Sequence, residues 1–236
     1  MALDAQVIIA KRIARELRSG MLVNLGIGIP TAVANYLPPG LKVLFQSENG
    51  LIGAGAVPDA GMAQRLLTDA GGRPVTALPG ASSFDSAMSF ALIRGGHLDM
   101  TVLGGLQVDG RGWLANWMVP GRMVAGMGGA MDLVAGARRV VVAMQHTARG
   151  EPKIVPELTL PATAARAVTL VVTDMAVVEP TDDGLVLRER APGVTVDEIL
   201  AATGAPLRIA GEVPEMRLAE GSAAADAPRS EGGEQR

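Results

Sequence analysis

The chain has 236 residues, of which 48% are hydrophobic, 19% charged and only 3% aromatic, and its formal net charge is -3. This length fits one large α/β domain, and the scarcity of aromatic rings and the slight negative charge argue against nucleic acid and anionic membranes as partners. The sequence has no cysteine, which excludes disulfides, thiolate catalysis and cysteine-based metal sites and fits the cytoplasmic location that we predict.

Hydrophobic periodicity predicts helices and strands that alternate along the chain. Charged residues interrupt the apolar positions of residues 4–19, so this segment is predicted to be an amphipathic helix, not a signal peptide. No stretch is long and apolar enough to span a bilayer. Strands are predicted at 21–25, 42–46, 75–78, 100–103, 140–144, 168–173 and 185–188, and helices at 4–19, 32–38, 85–94, 131–137 and 196–203.

This alternation is typical of βαβ units. We therefore predict the α/β fold class, with a mostly parallel open sheet flanked by helices. Residues 1–217 are predicted to form a single domain. Residues 218–236 are rich in Gly, Ala, Ser and acidic side chains, a composition that predicts a disordered C-terminal tail.

Glu48 is the first candidate for chemistry. It follows the predicted strand 42–46 and precedes the turn dipeptide Asn49-Gly50. Ligands of open parallel sheets bind outside the carboxyl ends of the strands, where a carboxylate can act as a nucleophile or a general base. The alternative is an ordinary surface turn, which is the commoner role of a loop glutamate.

Two Gly-x-Gly segments, 26–28 and 53–55, resemble turns that cradle a phosphate on bare backbone amides. Neither completes the dinucleotide-binding pattern, because Thr31 and Pro58 stand where the third glycine belongs. A tight turn between a strand and a helix is the alternative for both. The only histidines, His97 and His146, have no triad or metal spacing and are interpreted as structural or surface residues.

A series of ordered motifs resembles one enzyme family. In chain order these are VNLGIGIP at 23–30, SENG at 47–50, LPGAS at 78–82, FDS at 84–86, IRGGH at 93–97, LANWMVPG at 114–121, GMGGAMDL at 126–133 and APGVT at 191–195. Together they cover roughly residues 5–210 and are similar to the β subunit of class I coenzyme A transferases of the 3-oxoacid (acetoacetate/succinate) group. The resemblance implies the CoA-transferase, sugar-phosphate-isomerase-like fold.

The resemblance also implies a function. Glu48 of the SENG motif would attack an acyl-CoA and form first an acyl-glutamyl anhydride and then an enzyme–CoA thioester, with ping-pong transfer from succinyl-CoA or another acyl-CoA to a 3-oxo acid such as acetoacetate. Coenzyme A esters are then substrates, and neither a metal nor a cofactor is needed. The implied oxyanion and substrate-binding residues are Asn24, Asn116, Gly128 and Gly129, and the implied CoA-binding residues are Gly26, Gly28, Asn49 and Gly50.

The family resemblance further implies a partner, the α subunit of the same transferase, in an αβ or α2β2 assembly. Some positions depart from the family pattern: Gly72 replaces a usual lysine, and Trp113, Ala164, Thr169 and Leu170 replace other typical residues. These departures affect the expected CoA contacts, partner contacts or substrate range. Two alternatives remain open at this point, an acyl-CoA hydrolase that uses the same site and a non-catalytic module that binds CoA esters.

Overall fold

The structure is a computed structural model, and it describes residues 3–59, 61–121 and 128–220. Its helices are α1 (Ala5–Ala14), α2 (Ile29–Ala32), which runs into a 3-10 helix (Val33–Tyr36), α3 (Ser86–Arg94), α4 (Ala130–Gly136) and α5 (Val196–Ala202). Its strands are β1 (Leu22–Leu25), β2 (Leu44–Ser47), β3 (Leu51–Ala54), β4 (Ala77–Ser83), β5 (Met100–Gly104), β6 (Gln107–Asp109), β7 (Leu114–Ala115), β8 (Arg139–Ala143), β9 (Thr147–Ala148), β10 (Glu151–Pro152), β11 (Ile154–Val155), β12 (Leu170–Val172), β13 (Ala176–Thr181), β14 (Gly184–Arg190) and β15 (Leu207–Arg208).

Most of the chain is organised around one ten-stranded sheet, in the order β15-β14-β13-β12-β8-β5-β1-β2-β3-β4. The five central strands, β12, β8, β5, β1 and β2, run parallel to each other. Antiparallel hairpins extend the sheet on both sides of this centre. The prediction of a mostly parallel open sheet is therefore confirmed, with antiparallel strands added towards each edge. Two small sheets, β9-β10 and β11-β6-β7, complete the strands.

The central strands are buried on both faces, which explains their nearly continuous apolar sequences. On one face, α1, α2 and the 3-10 helix cover a core that includes Val23, Met100 and Val102. On the other face, α3, α4 and α5 cover a core that includes Val140 and Val142. Because side chains alternate along a strand, the residues next to Val23 and Val102 face the α3–α4 side.

Helix boundaries follow local capping chemistry. The Asp4 carboxylate accepts a hydrogen bond from the Gln6 N–H and begins α1, and the Asp85 carboxylate accepts one from the Met88 N–H and begins α3. Thr195 and Glu198 form a reciprocal capping box at the start of α5. None of the helices in the described part of the chain is long and apolar enough to cross a membrane.

Among the strands of the ten-stranded sheet, the sequence pattern missed β3, β13 and β15, and it predicted none of the short strands of the two small sheets. Residues 51–54 form β3, although Gly53 and Gly55 suggested a turn there. Gly53 keeps a positive φ of 86° inside the strand and packs closely on Ala81 of the neighbouring strand, so the predicted phosphate-cradling turn at 53–55 is wrong. β13 was missed because Pro180 lies within it, and proline lowers the expectation of a strand.

The predicted start of the disordered tail is also wrong. The Ala219 N–H donates to the Lys11 carbonyl of α1 at 3.1 Å. Ala219 is only 5% exposed and belongs to the same core as Val23, with Leu218 packed against it. These apolar side chains anchor residues 218–220 on the first helix, whereas the remaining predicted tail, 221–236, lies outside the described residues.

His146 has a structural role, as predicted. It is fully buried beyond the end of β8, and its two ring nitrogens each lie 2.9 Å from a threonine hydroxyl, Nδ1 from Thr173 and Nε2 from Thr203. Burial lowers the pKa of His146, and the nearby Asp174 carboxylate opposes this effect only partly. The folded protein therefore favours the neutral ring.

This burial predicts a pH dependence of folding. Below about pH 6.5 the unfolded chain binds a proton at His146 that the folded chain resists, so the free energy of unfolding should fall as the pH is lowered. The contribution of one such histidine is at most about 1.4 kcal/mol per pH unit. Urea denaturation of wild type and His146→Gln between about pH 7 and pH 5 gives the free energy of unfolding at each pH. This free energy should depend less steeply on pH in the variant than in wild type. His97→Gln, at the exposed histidine, is the control, and equal slopes for all three proteins would contradict the prediction.

Glu48, Asn49 and Gly50 form the turn that joins β2 to β3. The Gly50 N–H donates to the Ser47 carbonyl at 3.0 Å and closes the turn. Gly50 has a φ of 114°, and a Cβ atom added there would collide with the Phe84 carbonyl oxygen. Both facts require glycine at this position, because an L side chain meets both a strained backbone and an occupied space.

Gly50→Ala should therefore destabilise the protein by about 4 kcal/mol or more, since the backbone of Phe84 must move to admit the methyl group. Gly40→Ala is a matched control, because Gly40 also has a positive φ, 82°, but no atom lies within 4 Å of the added Cβ. We expect it to cost only about 1–2 kcal/mol for the left-handed backbone. Chemical denaturation measures both, and similar losses would show that the contact with Phe84 does not matter.

Candidate active site

Glu48 lies where the parallel strands β1, β2 and β5 end, on the carboxyl edge of the sheet. The position at the end of a strand is as predicted, but the chain continues into a hairpin and not into a helix. The side chain is half-buried. A glutamate in this position has its backbone fixed by the turn while its carboxylate still meets the solvent side of the sheet edge.

Asn24 contacts the Glu48 carboxylate directly. The Asn24 Nδ2 donates to Glu48 Oε2 at 3.0 Å, and Asn24 itself is fully buried in β1. Two residues that the sequence placed in separate motifs, 24 positions apart, are thus brought together. The donor is a neutral amide, so it orients the carboxylate without cancelling its charge.

A chain of buried polar side chains extends behind this contact. Asn24 Nδ2 also donates to Gln46 Oε1 at 2.9 Å, and Gln46 Nε2 donates to the Ser89 hydroxyl on α3 at 2.9 Å. The Thr101 hydroxyl donates to Asn24 Oδ1 at 3.3 Å. Sequence analysis missed Gln46, Ser89 and Thr101, although Gln46 and Thr101 had a visible signal, a polar residue within an apolar strand.

The backbone at Gly129 lies against Glu48. A Cβ atom added to Gly129 would be 3.4 Å from Glu48 Cγ and 3.3 Å from the Phe90 ring, so a larger residue would crowd the glutamate. Gly129 precedes α4, and Gly128 before it is exposed with a φ of 53°. Of the two predicted oxyanion glycines, Gly129 is therefore near Glu48. Gly126 and Met127, which begin the same motif, lie outside the described residues.

Asn116 has a different environment from Asn24. Its Oδ1 accepts a hydrogen bond from the Thr163 hydroxyl at 2.8 Å, and its backbone N–H donates to the same hydroxyl at 3.1 Å. Within the described ranges, no hydrogen bond joins Asn116 to Glu48. The alternative of an asparagine that satisfies a loop is thus realised, and the predicted role of Asn116 at the substrate stays a prediction.

The predicted CoA-binding residues mostly make internal contacts. The Gly26 N–H donates to Val102 O at 2.8 Å, and the Gly50 N–H is used in its turn. Asn49 is exposed, and its Nδ2 donates to Thr68 O at 2.8 Å. Gly28 is exposed at the start of α2. The amides of Gly26 and Gly50 are therefore not bare donors for a phosphate, and the CoA contacts of all four residues stay predictions.

A cavity of about 150 Å³ lies beside β2, and Ser47 and Arg73 are among the residues that line it. Arg73 is next to Gly72, where the family lysine is replaced, so a cation is present one residue further along. It is paired with the Asp69 carboxylate at 3.1 Å, so its charge is largely compensated. The cavity walls are otherwise mainly apolar, with side chains such as Leu25, Phe45 and Val75.

The other departures from the family pattern have structural contacts. The Trp113 ring lies 4.2 Å from the Arg111 guanidinium, and Ala164 packs against the α3–α4 core. The Thr169 hydroxyl donates to Val140 O at 2.8 Å and accepts from its N–H. Leu170 is buried in β12. These contacts stabilise the sheet and the loops around it, and none of them involves Glu48.

The arrangement around Glu48 suits covalent chemistry at a carboxylate. One carboxyl oxygen is held by a neutral donor, the backbone of Gly129 packs close to the side chain, and the network behind it is buried. Among the residues that the structure describes, no group of three or more His, Asp or Glu side chains is arranged to hold a metal ion. The groups near Glu48 can orient and polarise a carboxyl group.

Comparison with known proteins identifies the family. Residues 7–202 match the family model described as coenzyme A transferase. The chain is 53% identical over 216 residues to the beta chain of the acetate CoA-transferase of Escherichia coli (strain K12), covering 91% of this chain and 99% of the relative. It is 48% identical over 202 residues to one subunit of the succinyl-CoA:3-ketoacid coenzyme A transferase of Helicobacter pylori (strain ATCC 700392 / 26695), covering 85% and 97%.

Among solved structures, an acyl-CoA transferase apoenzyme from Escherichia coli O157:H7 matches with a TM-score of 0.75 and 23% identity. The match covers 92% of this chain and 44% of that chain, so this chain spans less than half of that longer relative. The likeness confirms the predicted CoA-transferase fold. With these matches, the chain belongs to the coenzyme A transferase family, as the β subunit of a CoA-transferase.

Proposed function

We propose that this β subunit carries the nucleophile of the transferase, Glu48, and moves coenzyme A between small carboxylic acids. The observation that supports this most directly is the 3.0 Å hydrogen bond from Asn24 Nδ2 to Glu48 Oε2. It orients a half-buried carboxylate at the open edge of a parallel sheet, where ligands of such sheets bind. A surface turn glutamate would not need a fully buried asparagine to hold it.

The first half of the proposed reaction loads coenzyme A onto Glu48. A carboxylate oxygen attacks the thioester carbonyl of the acyl-CoA, and the intermediate collapses to an acyl-glutamyl anhydride with loss of the CoA thiolate. The thiolate then attacks the glutamyl carbonyl, forms an enzyme–CoA thioester and releases the donor acid as its carboxylate. No redox step occurs, and the electron pair of each broken bond leaves with the departing group.

The second half repeats these steps in reverse with another acid. The acceptor carboxylate attacks the enzyme–CoA thioester, which gives a new anhydride and the free thiolate. Attack of the thiolate on the acyl carbonyl forms the new acyl-CoA and restores Glu48. The proposed chemistry uses coenzyme A esters as substrates and takes its nucleophile from the protein, so it calls for neither a metal nor a further cofactor.

Asn24 has a proposed role in these steps. When the thiolate attacks the glutamyl carbonyl, negative charge develops on the carboxyl oxygen, and a donor already aimed at that oxygen stabilises it without reorganisation. Gly129, whose backbone lies next to Glu48, is proposed as a contact to the reacting group. Gly128 and Asn116 are proposed as further contacts to substrate on the same side, and Gly26, Gly28, Asn49 and Gly50 as contacts to coenzyme A.

The acid pair is proposed from the resemblance and from the names of the relatives. We propose the 3-oxoacid pair, succinyl-CoA with acetoacetate. The Helicobacter pylori relative is called a succinyl-CoA:3-ketoacid transferase, a name that contains succinyl-CoA and the class of acids to which acetoacetate belongs. The relative with 53% identity is called an acetate CoA-transferase. We propose the 3-oxoacid pair as the principal activity, with acetate as the acid that a substrate panel has to include.

The proposed partner is the α subunit of the same enzyme, in an αβ or α2β2 complex. Both of these relatives are named as single subunits of their transferases, which implies a second chain. Tests of activity therefore require this chain co-expressed with its α-type partner.

Replacing the nucleophile tests the proposed function. Glu48→Gln keeps the size of the side chain but removes the nucleophilic oxygen, and transfer from succinyl-CoA to acetoacetate should fall on the order of 10⁴-fold or more. Incubation of wild type with acyl-CoA alone should add the mass of coenzyme A to Glu48, and borohydride should convert this thioester to a stable alcohol. Glu157→Gln, at an exposed glutamate, is the matched control and should behave as wild type.

Full activity of Glu48→Gln would rule out the nucleophile. A wild-type complex that releases coenzyme A rapidly without any acceptor acid would indicate a hydrolase at the same site. A complex that binds CoA esters tightly with no exchange would indicate a non-catalytic module.

Asn24→Asp tests the proposed donor. The substitution is nearly isosteric, but it replaces the N–H donor by a second carboxylate beside Glu48. Loss of one oxyanion donor typically costs about 10²–10³-fold in kcat, and we expect a loss of that size with a small change in KM. Asn35→Asp, at an exposed asparagine of the 3-10 helix, is the control. A kcat near the wild-type value in Asn24→Asp would remove Asn24 from the proposed mechanism.

A further inference from the structure

Three polar side chains stand side by side in the buried, parallel part of the sheet. Gln46, Asn24 and Thr101 are direct neighbours in the registers of β2, β1 and β5, so they form one row across three adjacent strands, which lie about 4.8 Å apart. Asn24 and Thr101 are fully buried, and Gln46 is 3% exposed. Apolar residues would fill such positions at a lower desolvation cost, so the row needs an explanation.

The hydrogen bonds in this row have a defined direction. A carboxamide has one acceptor oxygen and two N–H donors. The Asn24 oxygen accepts from Thr101, and its nitrogen donates to Gln46 Oε1 and to Glu48 Oε2. The Gln46 amide is also oriented, since its nitrogen donates to the Ser89 hydroxyl on α3. Ser89 is fully buried as well.

Rotation of the Asn24 amide by half a turn would reverse this pattern. Its oxygen would then face both Gln46 Oε1 and the Glu48 carboxylate, and its nitrogen would face Thr101. The oxygens would repel each other in a buried environment, where an unpaired polar group costs free energy. The Gln46 main-chain carbonyl can only accept and lies 3.3 Å from Asn24 Nδ2, so together with the Glu48 carboxylate it excludes the reversed amide. Thr101 completes the observed orientation by donating its hydroxyl to Asn24 Oδ1, and Ser89 holds the Gln46 nitrogen, which leaves the Gln46 oxygen for Asn24.

We propose that Thr101, Gln46 and Ser89 are positioning residues that fix the Asn24 amide with one N–H on Glu48 Oε2. Within the described part of the chain, no hydrogen bond reaches Glu48 Oε1, so this orientation leaves Oε1 as the attacking atom. The inference rests on the proposed function and goes beyond it, because it assigns a task to three residues that do not touch the substrate.

Burial separates this role from substrate binding. Thr101 and Ser89 are fully buried and Gln46 is 3% exposed, so the three side chains offer almost no surface to an approaching CoA ester. Changes there should lower the rate of the chemical steps and leave substrate affinity nearly unchanged. They act only through Asn24, which makes the inference testable by a double-mutant cycle.

The experiment uses Thr101→Val in the co-expressed complex. Valine has the shape of threonine without the hydroxyl, so Asn24 loses the donor that orients it. We expect kcat and the rate of enzyme–CoA thioester formation to fall roughly 10-fold, with KM for the acyl-CoA changed by less than about 2-fold. Thr101→Ser, which restores the hydroxyl, should recover most of the rate.

The cycle distinguishes positioning from general damage. In an Asn24→Ala background, Thr101→Val should have almost no further effect on the rate, because the amide that it orients is absent. A purely structural role would lower the rate by the same factor in both backgrounds. Thr169→Val is the matched control, because it removes a hydroxyl bonded to Val140 on the same sheet, and it should leave kcat unchanged.

Each outcome has one meaning. If the wild-type complex transfers no coenzyme A, the proposed function fails and not the positioning inference. If wild type is active and Thr101→Val equals it, or loses the same factor in both backgrounds, the inference is overturned. If Thr101→Val does not fold, Ser89→Ala in the same cycle decides. We expect a smaller loss of roughly 3-fold that disappears in the Asn24→Ala background.

Discussion

The hydrogen bond between Asn24 and Glu48 is the interaction on which the candidate site depends, and it exists only because two backbone segments end together. β1 and β2 run parallel with Asn24 beside Gln46, so the residue that follows β2 by one position is within reach of the Asn24 amide. The turn after β2 must then reverse the direction of the chain while Glu48 stays next to Asn24. Gly50 permits this because its backbone has a positive φ and its Cα lies against the Phe84 carbonyl.

The buried polar row shows how a stable sheet accommodates a reactive edge. Polar groups inside an apolar core cost free energy unless every donor and acceptor is paired, and a fully paired network specifies one arrangement of its members. Among the described residues, no buried side-chain nitrogen or oxygen lacks a partner. Gln46, Asn24 and Thr101 thus replace part of the hydrophobic packing by directional hydrogen bonds. One of these bonds is donated by Asn24 to the Glu48 carboxylate.

Sequence analysis predicted the alternating elements, the mostly parallel sheet and the position of Glu48 at a strand end, because hydrophobic periodicity and turn residues are local signals. It missed β3 and the packing of Ala219, which depend on partners distant in sequence. It also assigned Asn24 and Asn116 the same role from motifs, and the structure separates them: one amide reaches Glu48, whereas the other is bonded to Thr163. Ser89 escaped notice because its function depends on neighbours from other elements. Gln46 and Thr101 are visible as polar residues within apolar strands, but no local pattern names their partners.

The choice of a neutral donor at Glu48 has a chemical reason within the proposed mechanism. A lysine or arginine paired with the carboxylate would orient it too, but it would hold the negative charge that must be shared with the thioester carbon during attack. An amide holds one oxygen with a weaker interaction and also remains useful when that oxygen becomes part of an anhydride or a thioester, since an N–H also donates to a neutral carbonyl, less strongly than to an oxyanion. In the described residues, no ion pair involves Glu48, so the side chain is oriented by hydrogen bonding alone. In the proposed reaction Glu48 is in turn a carboxylate, an anhydride and a thioester. A neutral donor suits all three states, because it carries no charge that would stabilise the carboxylate over the other two.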